Sequence, residues 1–370
     1  MALPNNRYLS VDVLRGMTLA LMIVVNMSID AKLSYPPLLH AVWHGLTLTD
    51  AVFPTFLFVV GGAMGFSLER YQALGPRVLV GKVIRRGVLI LACGVFISNF
   101  PFCHLGPDGS LVWQTLSQVR VLGVLQRIGL AYVLAALLLS FAGWRWAVAW
   151  SVAALAGYAW VLSAFGDLTL TGNAPVKLDL MVLGASHLYH GEGVPYDPEG
   201  LLGLIPATVN LLAGYAAIAF LRRRPATAKT VLQLAAVGGG LILLALAWNT
   251  VLPINKKLWT SSYVLCTVGI DLVVLAGLAG LIDGIGVRRG VGYFEIFGKN
   301  TLAIYILSEI LNAIMWTLPV GGTSLFMWIY AHGFQWAGDR PGSLLLALAM
   351  MQLCWLVAWL LDRRRIYIRL

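Results

Sequence analysis

The sequence predicts an all-α polytopic membrane protein with about ten transmembrane helices and both termini in the cytoplasm. Three observations carry that reading. Charged residues make up only 11% of the 370, against 59% hydrophobic, whereas a soluble domain carries about 25% charged residues; mean hydropathy is +0.82. Apolar runs of the roughly 20 residues a hydrocarbon core requires recur at 10–29, 46–68, 78–99, 117–140, 144–165, 200–221, 229–252, 259–282, 293–318 and 343–361. Finally, if alternate loops face alternate sides, eighteen Lys and Arg fall on the side of the termini. Only six face the other side: Lys32, Arg120, Lys177, Lys256, Lys257 and Arg340. Such a bias marks the cytoplasmic side, so the net charge of +10 reads as membrane orientation and not as a nucleic-acid surface.

Residues 1–370 form one membrane domain, with longer outer loops at about 166–199 and 320–342. Cys93, Cys103, Cys266 and Cys354 contain no CxxC pair, and three of them lie in apolar runs, which gives neither a disulfide framework nor a zinc site. The first run carries Asp12 and Arg15 and is followed by no small-residue cleavage pattern, so it reads as a retained helix. Those two side chains, three apart, share a face, and Asn26 falls about 40° from Asp12 around the helix. The face is either an ion pair fixing helix packing or the wall of a cavity running from one side to the other.

The stretch Leu39–Phe66 joins titratable residues directly to an apolar helix. His40 and His44 flank Trp43, Asp50 follows, and an unbroken apolar run begins at Phe53. Histidine is the default proton acceptor near neutrality. The i, i+4 spacing of the two histidines suits a metal only on a helix, and no third ligand clusters with them, so no metal is expected. All six histidines fall on the outer side in this topology.

In the fourth run Arg120 and Arg127 share a stripe. Arg127 needs an anionic partner, either a carboxylate such as Glu309 or Asp271, or a phosphorylated ligand. Pro198 and Glu199 open the sixth run as helix starts prefer. Lys256 and Lys257 open the eighth, where snorkelling anchors are common. Tyr305, Glu309 and Asn312 form an inward polar stripe on the ninth. The segment 320–342 holds Trp328, Tyr330, His332 and Trp336 and reads as interfacial or re-entrant. No Walker A, HExxH or GxSxG pattern is present.

Six blocks taken together resemble the heparan-alpha-glucosaminide N-acetyltransferase family and its bacterial relatives, within the transmembrane acyltransferase group. They are SVDVLRG (10–16), HAVWHGLTLTDAVFPTFLFVVG (40–61), GVLQRIGLAY (123–132), YDPEGLLGLIPA (196–207), LPINKKLWTSSYVL (252–265) and FEIFGKNTLAIYILSE (294–309). The resemblance implies transfer of acetyl from cytosolic acetyl-coenzyme A to a glucosamine amine on the far side, across a bacterial inner membrane. It makes His40 the base or transient acetyl carrier, with Asp50 orienting the imidazole and Asn26 donating to the thioester oxygen. Arg127, Arg15 and Asn300 are the expected cofactor contacts. The position of His44 is usually asparagine in the family, so His44 joins Trp43, Lys256 and Glu309 as a candidate substrate contact. The family's lysosomal members carry a luminal domain before the membrane part that has no counterpart here, and the loop between Asn26 and His40 differs in length, which leaves the acceptor sugar open. The expected partners are the coenzyme A thioester, a glucosamine-containing saccharide and the lipid bilayer, with homodimerisation left open. An envelope-polysaccharide O-acyltransferase is the alternative enzyme. A transporter of amino sugars or oligosaccharides is the alternative of another class, disfavoured by the absence of an internal repeat.

Overall fold

The computed structural model describes residues 8–105 and 110–368; Arg7 and Arg369, both in the charge count above, lie outside them. Thirteen α-helices are assigned: α1 (Leu9–Asn26), α2 (Leu48–Gln72), α3 (Pro76–Asn99), α4 (Val124–Leu137), α5 (Gly143–Ala164), α6 (Ala174–Leu183), α7 (Leu204–Arg222), α8 (Ala228–Trp248), α9 (Ser261–Leu278), α10 (Val291–Lys299), α11 (Thr301–Thr317), α12 (Leu325–Ile329) and α13 (Asp339–Arg363). Two short antiparallel hairpins, Cys103–Leu105 with Leu111–Trp113 and Pro319–Val320 with Thr323–Ser324, are the β-structure of the described residues.

Each of the ten predicted apolar runs is helical, but seven helical stretches of the described residues are long and apolar enough to cross a membrane. The difference has three local causes. Val124–Ala164 is one stretch of 41 residues, about 60 Å at 1.5 Å per residue, or twice a hydrocarbon core. It contains the predicted fourth and fifth spans, joined by a π-turn at Leu138–Ala142 and broken at Gly143, whose φ of 79° no other residue type adopts cheaply. The third run carries Lys82, Arg85 and Arg86 within α3. The ninth is divided at Asn300 into the two short helices α10 and α11.

Helices pack through reciprocal glycines. Gly61 of α2 meets the Leu211 carbonyl of α7, and Gly214 of α7 meets the Phe58 carbonyl of α2; a Cβ at either position would sit under 2 Å from the facing oxygen. The same exchange joins α1 to α10 through Gly16 and Gly298, α3 to α4 through Gly87 and Gly129, and α8 to α9 through Gly238 and Gly269. Between apolar helices in lipid there is no hydrophobic gain to be had, so close backbone approach is what holds a pair together. The core runs through the centre of the bundle, with Leu19, Leu57, Met64, Leu211 and Val264 fully buried. The interfacial segment expected at 320–342 contains α12, a π-turn at Tyr330–Phe334 and a 3-10 turn at Gln335–Ala337.

Candidate active site

The chain before α2 is a bent, non-helical loop from Leu39 to Thr47. The i, i+4 spacing of His40 and His44 therefore does not place both imidazoles on one face. They point to different partners. His40 Nδ1 lies 2.6 Å from Asp50 Oδ1, and Asn255 Nδ2 donates to His44 Nδ1 at 3.2 Å.

Asp50 is fixed by the helix start it belongs to. Thr47 caps α2 and forms a capping box with Asp50 at the third position. Asp50 Oδ2 accepts from the backbone N–H of Ala41 (3.0 Å), the N–H of Thr47 (3.0 Å) and Thr47 Oγ1 (2.9 Å). Three N–H and O–H donors on Oδ2 favour the ionised carboxylate, to which the Nδ1–H tautomer of His40 donates a hydrogen bond while keeping its Nε2 lone pair free. Asp50 is 1% exposed, while the His40 side chain is 47% exposed. Pro54 completes the arrangement. Lacking an N–H, it leaves the Asp50 carbonyl without its helical partner, and Tyr263 of α9 donates to that oxygen at 2.6 Å.

The block 252–263 is a platform under the histidine loop. Gly45 N–H donates to the Ile254 carbonyl at 2.8 Å, and Asn255, fully buried, holds Leu258 N–H at 2.8 Å while reaching His44. Trp259, also fully buried, adopts φ 53°, a conformation costing on the order of 1 kcal/mol for a bulky residue. Its ring packs on Phe53 and carries the Arg127 guanidinium 4.8 Å from its centroid. Trp43 donates to the Leu168 carbonyl at 2.7 Å, and Lys257 bridges the Val42 carbonyl (3.0 Å) to Glu192 (2.6 Å). The loops carrying residues 42–45, 168, 192 and 257 are thus tied together around the histidines.

Arg127 is 3% exposed and donates to the Gly200 carbonyl at 3.0 Å. Neither carboxylate considered for it is its hydrogen-bond partner: Asp271 accepts from Thr55 Oγ1 at 2.5 Å and Glu309 from Asn26 Nδ2 at 2.6 Å. The carboxylates that feel its charge are instead Glu199 and Asp179, just before α7 and on α6. Burial works to raise the Glu199 carboxyl, but Lys256, Arg120 and Arg127 outweigh it and hold it below the usual range. Asp179 is pushed up to about 6, mainly by burial and also by neighbouring Asp197. Arg120 binds Asp197 through two nitrogens (2.9 and 2.8 Å) and Glu199 at 2.8 Å. Arg120 stands out in the fourth run, but its partners Asp197 and Glu199 lie 77 and 79 positions away, and Asn255 lies 211 from His44, so no local pattern points to these pairings.

On α1 and α11 the polar stripes face each other. Asn26 meets Glu309, and Asn312 Nδ2 donates to the Asn26 carbonyl at 3.4 Å. Arg15 pairs with Asp12 at 3.4 Å and lies 3.5 Å from the Gly298 carbonyl. Between these ends the α1 face is closed, because Leu19 and Met22 are buried apolar residues. The polar face predicted to run the whole length of α1 is therefore two separate patches.

The patch around Asp12 and Arg15 opens into a cavity of about 770 Å³, within the range of small-molecule sites. Arg15, Arg70, Arg86 and Lys299 supply cations to its wall, and Phe56, Ile90, Leu125 and Ile128 supply an apolar surface. Its α2 wall extends from Phe56 to Tyr71, about 22 Å of helix, and begins about 9 Å beyond Asp50. Arg127 is not among the cavity-lining residues. Asn300 borders Lys299 and Thr301, which line it, while its own side chain is spent on the C-terminal segment. Among the described residues no group of three or more metal-ligating side chains occurs.

The family model described as heparan-alpha-glucosaminide N-acetyltransferase, catalytic, matches residues 7–244. The heparan-alpha-glucosaminide N-acetyltransferase of Mus musculus is 31% identical over 366 residues, covering 83% of this chain and 54% of the relative. The Homo sapiens protein of the same name is 32% identical over 367 residues, covering 84% and 53%. The chain spans about half the length of these curated relatives.

Proposed function

This chain belongs to the heparan-alpha-glucosaminide N-acetyltransferase family, and from that premise we propose that it transfers acetyl from cytosolic acetyl-coenzyme A to the amine of a glucosamine-type sugar on the opposite side of the membrane. The observation that carries the reading is the 2.6 Å bond between His40 Nδ1 and the buried Asp50, at the start of the helix whose later turns line a cation-rich cavity. The termini and the cavity share one side, as Tyr8 and Tyr367 both line it. The excess of Lys and Arg on that side supports a cytoplasmic cavity, ten crossings and an inner-membrane location.

In the direct route the acceptor nitrogen attacks the thioester carbonyl carbon. The C–N bond forms, the C–S bond breaks, and His40 Nε2 takes the ammonium proton while Asp50 stabilises the imidazolium. The departing thiolate is then protonated from solvent or from that imidazolium. Asn26 Nδ2 keeps one N–H beyond its bond to Glu309, available to an oxyanion. Glu309, Trp43, His44 and Lys256 are assigned to the acceptor side. In a two-step route His40 Nε2 attacks the thioester first, the thiolate leaves, and acetyl passes from the imidazole to the amine; the 47% exposure of the ring favours keeping this route. The residues present suit the donor: Arg15, Arg70, Arg86 and Lys299 would meet its phosphates, and the apolar inner wall its pantetheine arm.

The test is purified protein with labelled acetyl-coenzyme A and a panel of glucosamine-containing acceptors. N-acetylated sugar formed by wild type and not by His40→Ala is the expected result. O-acetylated product would select the polysaccharide O-acyltransferase instead. A carrier would show neither product nor thermal stabilisation by coenzyme A.

A further inference from the structure

After α13 the chain turns back at Arg365, which adopts φ 57°, and residues 366–368 run against the junction of α10 and α11. Asn300 at that junction is 1% exposed, and both ends of its amide are committed to this segment. Nδ2 donates to the Ile366 carbonyl at 3.0 Å, and Ile368 N–H donates to Oδ1 at 2.9 Å. Tyr367 is bracketed by the two bonds. Its hydroxyl donates to Asp362 Oδ1 at 2.9 Å, and the same carboxylate binds Lys299 at 3.1 Å. Tyr367 and Ile368 line the cavity beside Lys299.

Apolar burial does not account for this order. Ile366, Tyr367 and Ile368 keep 44%, 39% and 53% of their surface exposed, so docking them removes little area from water. A buried amide is nevertheless spent on holding three exposed residues in place. The cavity also has two unlike ends. Phe56, Ile90 and Leu125 form the apolar one, and Arg70, Lys299 and Tyr367 lie toward the other, about 21 Å away along α2 from Phe56 to Arg70. A donor with an aliphatic thioester arm and a polyanionic nucleotide head fits in one direction, with its head against the C-terminal segment.

We propose that residues 366–368 form the nucleotide-reading wall of the donor cavity, with Tyr367 contacting the nucleotide half of coenzyme A and Asn300 acting as the positioning residue that fixes it. The proposal rests on the donor assignment above and adds which part of the chain reads which part of the donor. The test compares acetyl-coenzyme A with S-acetylpantetheine, which carries the same thioester arm and no nucleotide. Tyr367→Ala is expected to raise KM for acetyl-coenzyme A about tenfold with kcat retained, and to change kcat/KM for S-acetylpantetheine by less than about twofold. Asn300→Ala is expected to give the same split between donors. Equal losses with both donors would mark the segment as structural support, and no loss with either would remove its role; both results overturn the proposal. Wild type that binds no coenzyme A would instead remove the donor assignment itself, a result distinguishable from indifferent variants of a protein that does bind it.

Discussion

Arg120 and Arg86 show how differently the two halves of this molecule treat a charge. Arg120, at the His40 end of the bundle, is closed in by Asp197 and Glu199, and the Tyr189 ring lies beneath its guanidinium. Burial works against its charge, but the two carboxylates outweigh that and strengthen it. Arg86, in the half that holds the termini, lies over Tyr132 with its guanidinium 5.0 Å from the ring centre and faces the cavity. Among the described residues no carboxylate pairs with it, and its Nε is buried without a hydrogen-bond partner. A fully answered cation is architecture; one left facing open volume is suited to an anionic ligand.

Four experiments bear on that contrast, from the largest expected effect to the smallest. His40→Ala should lower kcat by about 10²-fold or more, the scale of a lost general base, while the coenzyme A dissociation constant stays within about twofold. A His40→Ala enzyme acetylating sugar at the wild-type rate would falsify the assignment. Asp197→Ala leaves Arg120 with one carboxylate in a buried network, which should cost about 3–5 kcal/mol of stability. The readout is the unfolding midpoint, with donor KM of the folded fraction unchanged.

Asp179 provides the pH-dependent case. Its carboxyl releases a proton near 3.8 when unfolded and at about 6 when folded, so the folded state holds the extra proton between those values. The stability it contributes is present at low pH and is lost as pH rises through about 6. Asp179→Asn should therefore stabilise the protein at pH 8 by about 1–3 kcal/mol, give little gain at pH 4, and flatten the midpoint-against-pH curve between them. Last, Arg86→Gln should weaken coenzyme A binding about tenfold, the value of one charge-assisted hydrogen bond, with kcat at saturating donor retained. Unchanged affinity would erase the distinction drawn between the two arginines.

His40 and Asp50 were legible in the sequence because they stand ten positions apart in one polar stretch before an apolar run, and the family resemblance joined them; the capping box that fixes Asp50 is seen in the structure. Asn26 with Glu309 was legible only as two polar stripes, since their partnership spans 283 positions. Arg127 was read as needing an anion, and it has Glu199 and Asp179 near it, yet nothing in its own helix points to residues some 50 to 70 positions ahead. The Leu19–Met22 closure of α1 also escaped periodicity, because buried apolar residues and lipid-facing ones look alike in a membrane helix.

Local chemistry, then, was legible in the sequence alone: apolar runs that become helices in hydrocarbon, an uneven spread of Lys and Arg among the loops, and a histidine and an aspartate close together before an apolar run. Those follow from composition and short-range pattern along the chain. Tertiary structure decided which charges are answered and which face open space. It divided one polar face into two patches, split the ninth run at Asn300, and turned the C-terminal segment into part of a cavity wall. The physical reason is that a buried charge is settled by whichever group packing brings within about 3 Å, and helix pairing through reciprocal glycines selects that group from anywhere in the chain.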